Sequence, residues 1–119
     1  MNEGVIGVTV WTEDVERLVT FYRDTLGLKL RGYKEGWANF EWGNLRLNLG
    51  LHDRVKGHAQ DPYRIMISFG VTDIHHEHRR LGEQGVEFVR PPEQEHWGGW
   101  VATFLDPDGN MLQLLQQHL

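Results

Sequence analysis

No cysteine occurs among the 119 residues. That excludes disulfides, thiolate metal sites and a cysteine nucleophile, and it suits a reducing compartment. No apolar run approaches the roughly 20 residues needed to cross a bilayer. The opening Met1-Asn2-Glu3-Gly4 lacks the basic and apolar regions of a signal peptide. A cytoplasmic location without a membrane partner is therefore expected. Positive charge is also short, with 12 Lys and Arg against 17 Asp and Glu, a net −5. This balance argues against a nucleic-acid partner and mildly favours neutral or cationic ligands. What remains is a length sufficient for one domain with a real core, burying roughly 65% of the unfolded chain's surface without staples. Five tryptophans are many for this length. Trp37 and Trp42 flank one segment, and Trp97 and Trp100 flank a double glycine.

The chain then says nearly the same thing twice. Val5-Ile6-Gly7-Val8-Thr9-Val10-Trp11 leads into Glu13-Asp14-Val15, and Arg64-Ile65-Met66-Ile67-Ser68-Phe69-Gly70-Val71 leads into Thr72-Asp73-Ile74. A shift of 59 residues lays Ile6, Val8 and Val10 on Ile65, Ile67 and Phe69. The residues between them then pair too, Gly7 with Met66 and Thr9 with Ser68. A duplicated strand–helix unit implies two similar halves, with a groove where they meet.

Residues 5–11 alternate as a strand with one core face should. Over 14–26 the spacing becomes helical, with Val15, Leu18, Tyr22 and Leu26 on one stripe and Phe21 beside it. Thr12 suits the N-cap, the acidic Glu13, Asp14 and Glu16 suit the positive helix start, and Gly27 suits the stop. Leu28-Lys29-Leu30 begins a second strand, and Trp37–Trp42 with Leu45–Leu51 read as a hairpin closed by Gly43-Asn44. The aperiodic, charged stretch 52–63, with Pro62, reads as a linker.

The pattern then repeats. A strand over 64–71 precedes a helix over 73–84 with Ile74, His78 and Leu81 inward, and Gly85 stops it. A short strand over Val86–Val89 is ended by Pro91-Pro92. The last hairpin, Trp100–Leu105 and Met111–Leu115, turns through Asp106-Pro107-Asp108-Gly109-Asn110, where Pro107 presets φ and Gly109 takes positive φ. The expected fold is α+β: two βαβββ modules forming a curved mixed sheet around a groove, with helices outside. Module 1 covers about 4–51, the linker about 52–63 and module 2 about 64–117 of a single domain.

This order, together with Phe21-Tyr22-Arg23-Asp24-Thr25-Leu26-Gly27-Leu28 and Phe104-Leu105-Asp106-Pro107-Asp108-Gly109-Asn110, resembles the vicinal oxygen chelate superfamily. That superfamily includes glyoxalase I, extradiol dioxygenases and bleomycin-resistance proteins. The likeness runs end to end, but one fold hosts many activities, so function must come from the site.

In metal-dependent members the ligands, typically His, Glu or Gln, come from the first and last strand of each module. The resemblance and the internal repeat place them at Gly7, Asn48, Met66 and Gln113, with Arg46 as the alternative to Asn48 if the fourth strand shifts by two. Glycine has no side chain, a thioether is soft, and the two carboxamides are neutral, so no metal and no cofactor are expected. A Lewis acid for the metalloenzyme chemistry is then missing.

Seven histidines offer other donors. His75 and His78 share a helix edge but lack a third ligand, which favours solvated or core-margin roles. His52, His58, His96 and His118 are scattered, and a site from His52 and His96 stays open. Trp97-Gly98-Gly99-Trp100 resembles a loop that rims the pocket in antibiotic-binding members. Its tryptophans suit either a flat ligand or a subunit interface. On the third strand the groove side is either Phe40 and Trp42 with Ala38, or Trp37 with Asn39 and Glu41. Arg46 and Arg64 fall on the groove face, as an anion clamp or as ion pairs, with Glu41 an available partner.

The favoured expectation is a homodimeric protein that binds a small organic molecule without a catalytic metal. Its groove is lined by Gly7, Thr9, Trp11, Phe40, Trp42, Arg46, Asn48, Arg64, Met66, Ser68, Trp97, Trp100 and Gln113. The dimer is what the resemblance implies. The alternatives are a glyoxalase- or dioxygenase-like metalloenzyme with displaced ligands, and a non-catalytic interaction module with interfacial tryptophans.

Overall fold

Alternation builds the first element. β1 (Gly7–Thr12) turns Val8, Val10 and Thr12 to one side and Gly7, Thr9 and Trp11 to the other. The structure, a computed structural model, describes residues 2–117. These divide into two compact units, one ending at Gly57 and the next beginning at His58. In the first, α1 (Val15–Val19) runs on as a π-helical segment over Thr20–Thr25. It is followed by β2 (Leu30–Lys34), β3 (Trp37–Trp42) and β4 (Leu45–Leu51). In the second, β5 (Ile67–Gly70) and α2 (Ile74–Glu83) precede β6 (Phe88–Gln94), β7 (Trp100–Leu105) and β8 (Met111–Gln116). Each unit holds its own four-stranded mixed sheet, ordered β1-β4-β3-β2 and β5-β8-β7-β6. The first strand lies parallel to the last, and the remaining neighbours are antiparallel. The α+β class and the doubled βαβββ order are therefore present as read from the chain.

One face of each sheet packs under its helix. In unit 1, Ala38, Phe40, Leu47 and Leu49 are buried with Val15, Leu18, Val19 and Tyr22, and the rings of Tyr22 and Phe40 lie 6.4 Å apart. In unit 2, Ala102, Phe104, Leu112 and Leu114 are buried with Ile74 and Leu81. Each of the larger aliphatic and phenyl side chains taken from water contributes about 1.5–3 kcal/mol.

Both helices start on an aspartate. The Asp14 carboxylate accepts the Arg17 N–H at 3.1 Å, and the Asp73 carboxylate accepts the His76 N–H at 3.1 Å. Asp14, rather than the expected Thr12, is therefore the N-cap. Thr12 acts one step earlier, its Oγ1 accepting the Asp14 N–H at 3.0 Å. The helical stripe also departs from the expected period. From Thr20 the hydrogen bonds lengthen to the π pattern, as in the Leu26 N–H to the Phe21 carbonyl at 2.9 Å. Tyr22 stays buried while Leu26 ends half-exposed.

Several strand boundaries differ from expectation: β1 begins at Gly7 rather than Val5, which leaves Ile6 exposed outside the strand, β2 begins at Leu30 rather than Leu28, and two departures are larger. The stretch before β5 does not join the ladder, because Asp61-Pro62-Tyr63-Arg64 closes a turn in which the Arg64 N–H reaches the Asp61 carbonyl at 3.2 Å. Proline at the second turn position favours that bend. β6 extends through Pro91-Pro92 instead of ending there. It is an edge strand, and its register slips between Arg90 and Glu93, which spares the missing N–H groups.

Candidate functional site

The helix-free face of unit 1 is ordered in three cross-strand rows by the register of β1, β4 and β3. The first row is Gly7, Arg46 and Glu41. The second is Thr9, Asn48 and Asn39. The third is Trp11, Gly50 and Trp37. Side chains two apart on a strand share a face, so charge, neutral hydrogen-bonding groups and aromatic rings succeed one another along one surface. This settles the fourth-strand ambiguity: Arg46 and Asn48 both stand on this face, opposite Gly7 and Thr9 respectively. It also selects the Trp37, Asn39 and Glu41 side of β3.

The aromatic row depends on a glycine. A Cβ on Gly50 would lie 2.6 Å from the Trp11 ring and 2.9 Å from the Trp37 ring, so any larger residue would drive the indoles off the strand. Their centroids are 5.9 Å apart at 58°, and His52 meets Trp11 edge-on at 5.2 Å. The His52 Nδ1 accepts the Arg54 N–H at 3.1 Å. Trp11 and Trp37 remain 44% and 40% exposed, which leaves indole surface for a partner. By contrast, a Cβ on Gly7 would meet only ordinary contacts, the nearest 3.5 Å away. Gly7 leaves space rather than relieving a clash.

In the middle row the Asn48 Nδ2 donates to the Thr9 Oγ1 at 3.4 Å. In the charged row Glu41 sits between two guanidinium groups, with Arg46 Nε at 3.2 Å and Arg31 Nε at 3.8 Å. The expected pairing of Arg46 with Glu41 is present, but at the surface, with the Arg46 side chain 65% exposed.

Unit 2 repeats the middle row only. Ser68, Gln113 and Thr103 occupy it by register, again a hydroxyl on the first strand facing a carboxamide on the last. Where unit 1 has Trp11, Gly50 and Trp37, unit 2 has Gly70, Leu115 and Val101. Its guanidinium, Arg90, bonds Glu93 at 2.9 Å and Glu95 at 2.8 Å. These bonds, Glu93 first, hold its pKa above the ordinary value.

Several expected lining residues lie elsewhere. Phe40 is fully buried beneath the helix, and Trp42 shares its side of β3, opposite Leu45. Trp100 faces α2, with His75 edge-on to it at 4.9 Å. Strand parity, which the sequence left undetermined on β3, sends all three away from the open face. Arg64 closes the turn before β5 and pairs with Asp61 at 3.2 Å. Met66 precedes β5 and is partly exposed. Trp97 sits in the β6–β7 turn, where its ring covers Gly99 so closely that no Cβ fits there.

The donor chemistry at the family's ligand positions is a poor match for a metal. Gly7, Asn48 and Gln113 stand on open faces, and they offer only two neutral carboxamides. Met66 adds a thioether from outside the ladder. Hard or borderline divalent ions need imidazole or carboxylate donors, and this set has neither. Among the described residues no three His, Asp or Glu side chains form a potential metal cluster. His75 and His78 turn to rings instead, His78 meeting Phe88 at 4.5 Å. His118 lies outside the described residues.

The doubled βαβββ order defines a class of fold, and comparison agrees. The profile of the Glyoxalase/Bleomycin resistance protein/Dioxygenase superfamily matches residues 5–114. The chain belongs to that superfamily. It is 26% identical to a bleomycin resistance protein of Klebsiella pneumoniae, over 91% of this chain and 88% of the relative. It is 25% identical to the protein YraH of Bacillus subtilis, over 92% and 95% respectively. A solved superfamily member from Sphaerobacter thermophilus superposes with a TM-score of 0.77 at 26% identity, covering 95% of this chain and 96% of that one.

Among the described residues, no helix is long and apolar enough to cross a membrane.

Proposed function

We propose that this protein binds a small organic molecule on its helix-free sheet surface and does so without a resident catalytic metal. The observation that carries the reading is the pair of half-exposed indoles held together over Gly50, beside neutral hydrogen-bonding groups. Ligand sites combine apolar and aromatic surface with a few placed polar groups. The donor set Gly7, Asn48, Met66 and Gln113 supports the metal-free part. The similarity to a bleomycin resistance protein of Klebsiella is compatible with binding as the whole activity. We also propose that the protein acts as a homodimer in the cytoplasm, with neither nucleic acid nor membrane as partner.

The test is a ligand screen on tag-free protein, followed by tryptophan fluorescence and thermal shift with and without a chelator. A hit should raise the melting temperature, since ligand that binds only the native state stabilises it. The chelator should leave its affinity unchanged. Binding or turnover that appears only after zinc, nickel, manganese or iron is added would replace this reading with a metalloenzyme.

A further inference from the structure

The row order on unit 1 specifies a ligand class, an inference that rests on the binding reading above. We propose that this face takes an elongated molecule with a flat aromatic ring at one end, a hydrogen-bonding linker, and a carboxylate or similar anion at the other.

The ring end follows from the indoles of Trp11 and Trp37, which meet over Gly50 with nearly half their surface open. Offset or edge-on aromatic contacts add about 0.5–1.5 kcal/mol beyond area burial. A cationic ring is disfavoured, because Lys34 pairs by register with Trp37 and so brings positive charge to this row. The linker follows from Thr9, Asn48 and Asn39, which offer both donors and acceptors.

The anion end follows from a charge count around Glu41. Arg46 and Arg31 flank the single Glu41, an excess of one positive charge. Unit 2 has Leu105 and Met111 at the matching positions, and so no charge there. Arg46 engages Glu41 through Nε, and its side chain is 65% exposed, so its outer edge can take a carboxylate. The net charge of −5 opposes anions at long range, but at physiological salt that field decays over about 8 Å, and the local pair decides. Two residues along a strand span about 6.7 Å, so the charged and aromatic rows are about 13 Å apart. A long arginine side chain can cover part of that span.

Benzoyl-glycyl-glycine is a suitable probe, with about 10 Å from ring to carboxylate when extended. Its methyl ester removes the charge, and acetyl-glycyl-glycine removes the ring. The acid should bind about tenfold tighter than the ester, as a charge-assisted bond to arginine implies, and quench tryptophan fluorescence. Arg46→Gln should abolish that preference. Glu41→Gln, which removes the competing carboxylate, should tighten the acid and leave the ester unchanged, a gain that misfolding cannot mimic. Acetyl-glycyl-glycine should bind at least tenfold more weakly than the benzoyl acid.

Equal affinity for acid and ester, or weaker acid binding in Glu41→Gln, overturns the ligand class. Binding of unrelated compounds but not of this series also overturns the class and leaves small-molecule binding standing. No response to this series or to a broad panel overturns both.

Discussion

The two sheets share a frame but use their open faces differently. Each places a hydroxyl opposite a carboxamide across its parallel strand pair, Thr9 with Asn48 and Ser68 with Gln113. On either side of that shared row they diverge. Unit 1 has Arg46 and Glu41 toward one end and two indoles toward the other. Unit 2 has Leu105 and Met111 toward one end, Val101 and Leu115 toward the other, and Val101 and Met111 are already buried. Duplication supplies a backbone with equivalent positions, and the side chains then decide which copy keeps exposed recognition chemistry. The glycine changes place as well. Unit 1 has Trp11 beside Gly50, while unit 2 has Gly70 beside Leu115, so in this row the first sheet seats a ring over a bare backbone and the second does not.

The largest effect should separate the two faces of β3. Phe40→Ala should cost about 3–5 kcal/mol in urea unfolding, as expected for a fully buried ring. Trp37→Ala should cost about 1 kcal/mol, the scale of one exposed aromatic pair, and should remove ligand-dependent quenching. A Phe40→Ala variant of undiminished stability would place that ring on the open side after all.

Next come the hairpin turns. The Asp106 carboxylate accepts the N–H groups of Asp108 and Asn110 and the Asn110 Nδ2, each at 2.9 Å, in a buried site. Asp106→Ala should therefore cost about 3 kcal/mol. The unit 1 turn relies on Gly43 at φ 58°, and Gly43→Ala should cost only about 1 kcal/mol. Equal losses on thermal or urea melts would show that the two turns hold their strands alike.

The exchanged glycines give a finer contrast. Gly50→Ala should lose about 1–3 kcal/mol through overpacking and shift tryptophan emission as the indoles part. Gly70→Ala, with no atom near its Cβ, should gain about 0.5 kcal/mol. Matching stabilities with unchanged emission would remove the steric basis of the aromatic row.

The smallest effect concerns acid. Hydrogen bonds from Arg23 hold the Asp24 carboxyl below its ordinary value of 3.8. The unfolded chain then binds the proton first as pH falls, so the stabilisation is complete above pH 3.8 and disappears as pH drops through the lowered folded value. The stability gap between the protein and Asp24→Asn should shrink across that window. Because the pair is exposed, a gap that stays constant with pH would mean that the bond contributes nothing measurable.

Much of this was legible beforehand, for local reasons. Hairpin strands Trp37–Trp42 and Leu45–Leu51 have the limits that alternation and Gly43-Asn44 imply. The internal repeat matched Asp14 with Asp73 at the two helix starts, although the first cap is Asp14 and not the expected Thr12. Misreadings arose where another part of the chain competed. Asp61 and Pro62 drew Arg64 into a turn, and an edge position let β6 run through two prolines. Gly50 did carry a signal, since a glycine inside a strand marks a close approach, but the repeat drew attention to Gly7 instead.

The sequence by itself determined the doubled βαβββ order, the helix starts, the final turn and the neutral donor set, because period, capping chemistry and residue type act over a few neighbours. Only the tertiary structure decided which face of β3 meets the helix, and so whether Phe40 or Trp37 is open to a partner. Both choices alternate equally well along the strand. Packing against Tyr22 breaks the tie, because that contact lies about eighteen residues away in the chain and no local rule reaches it.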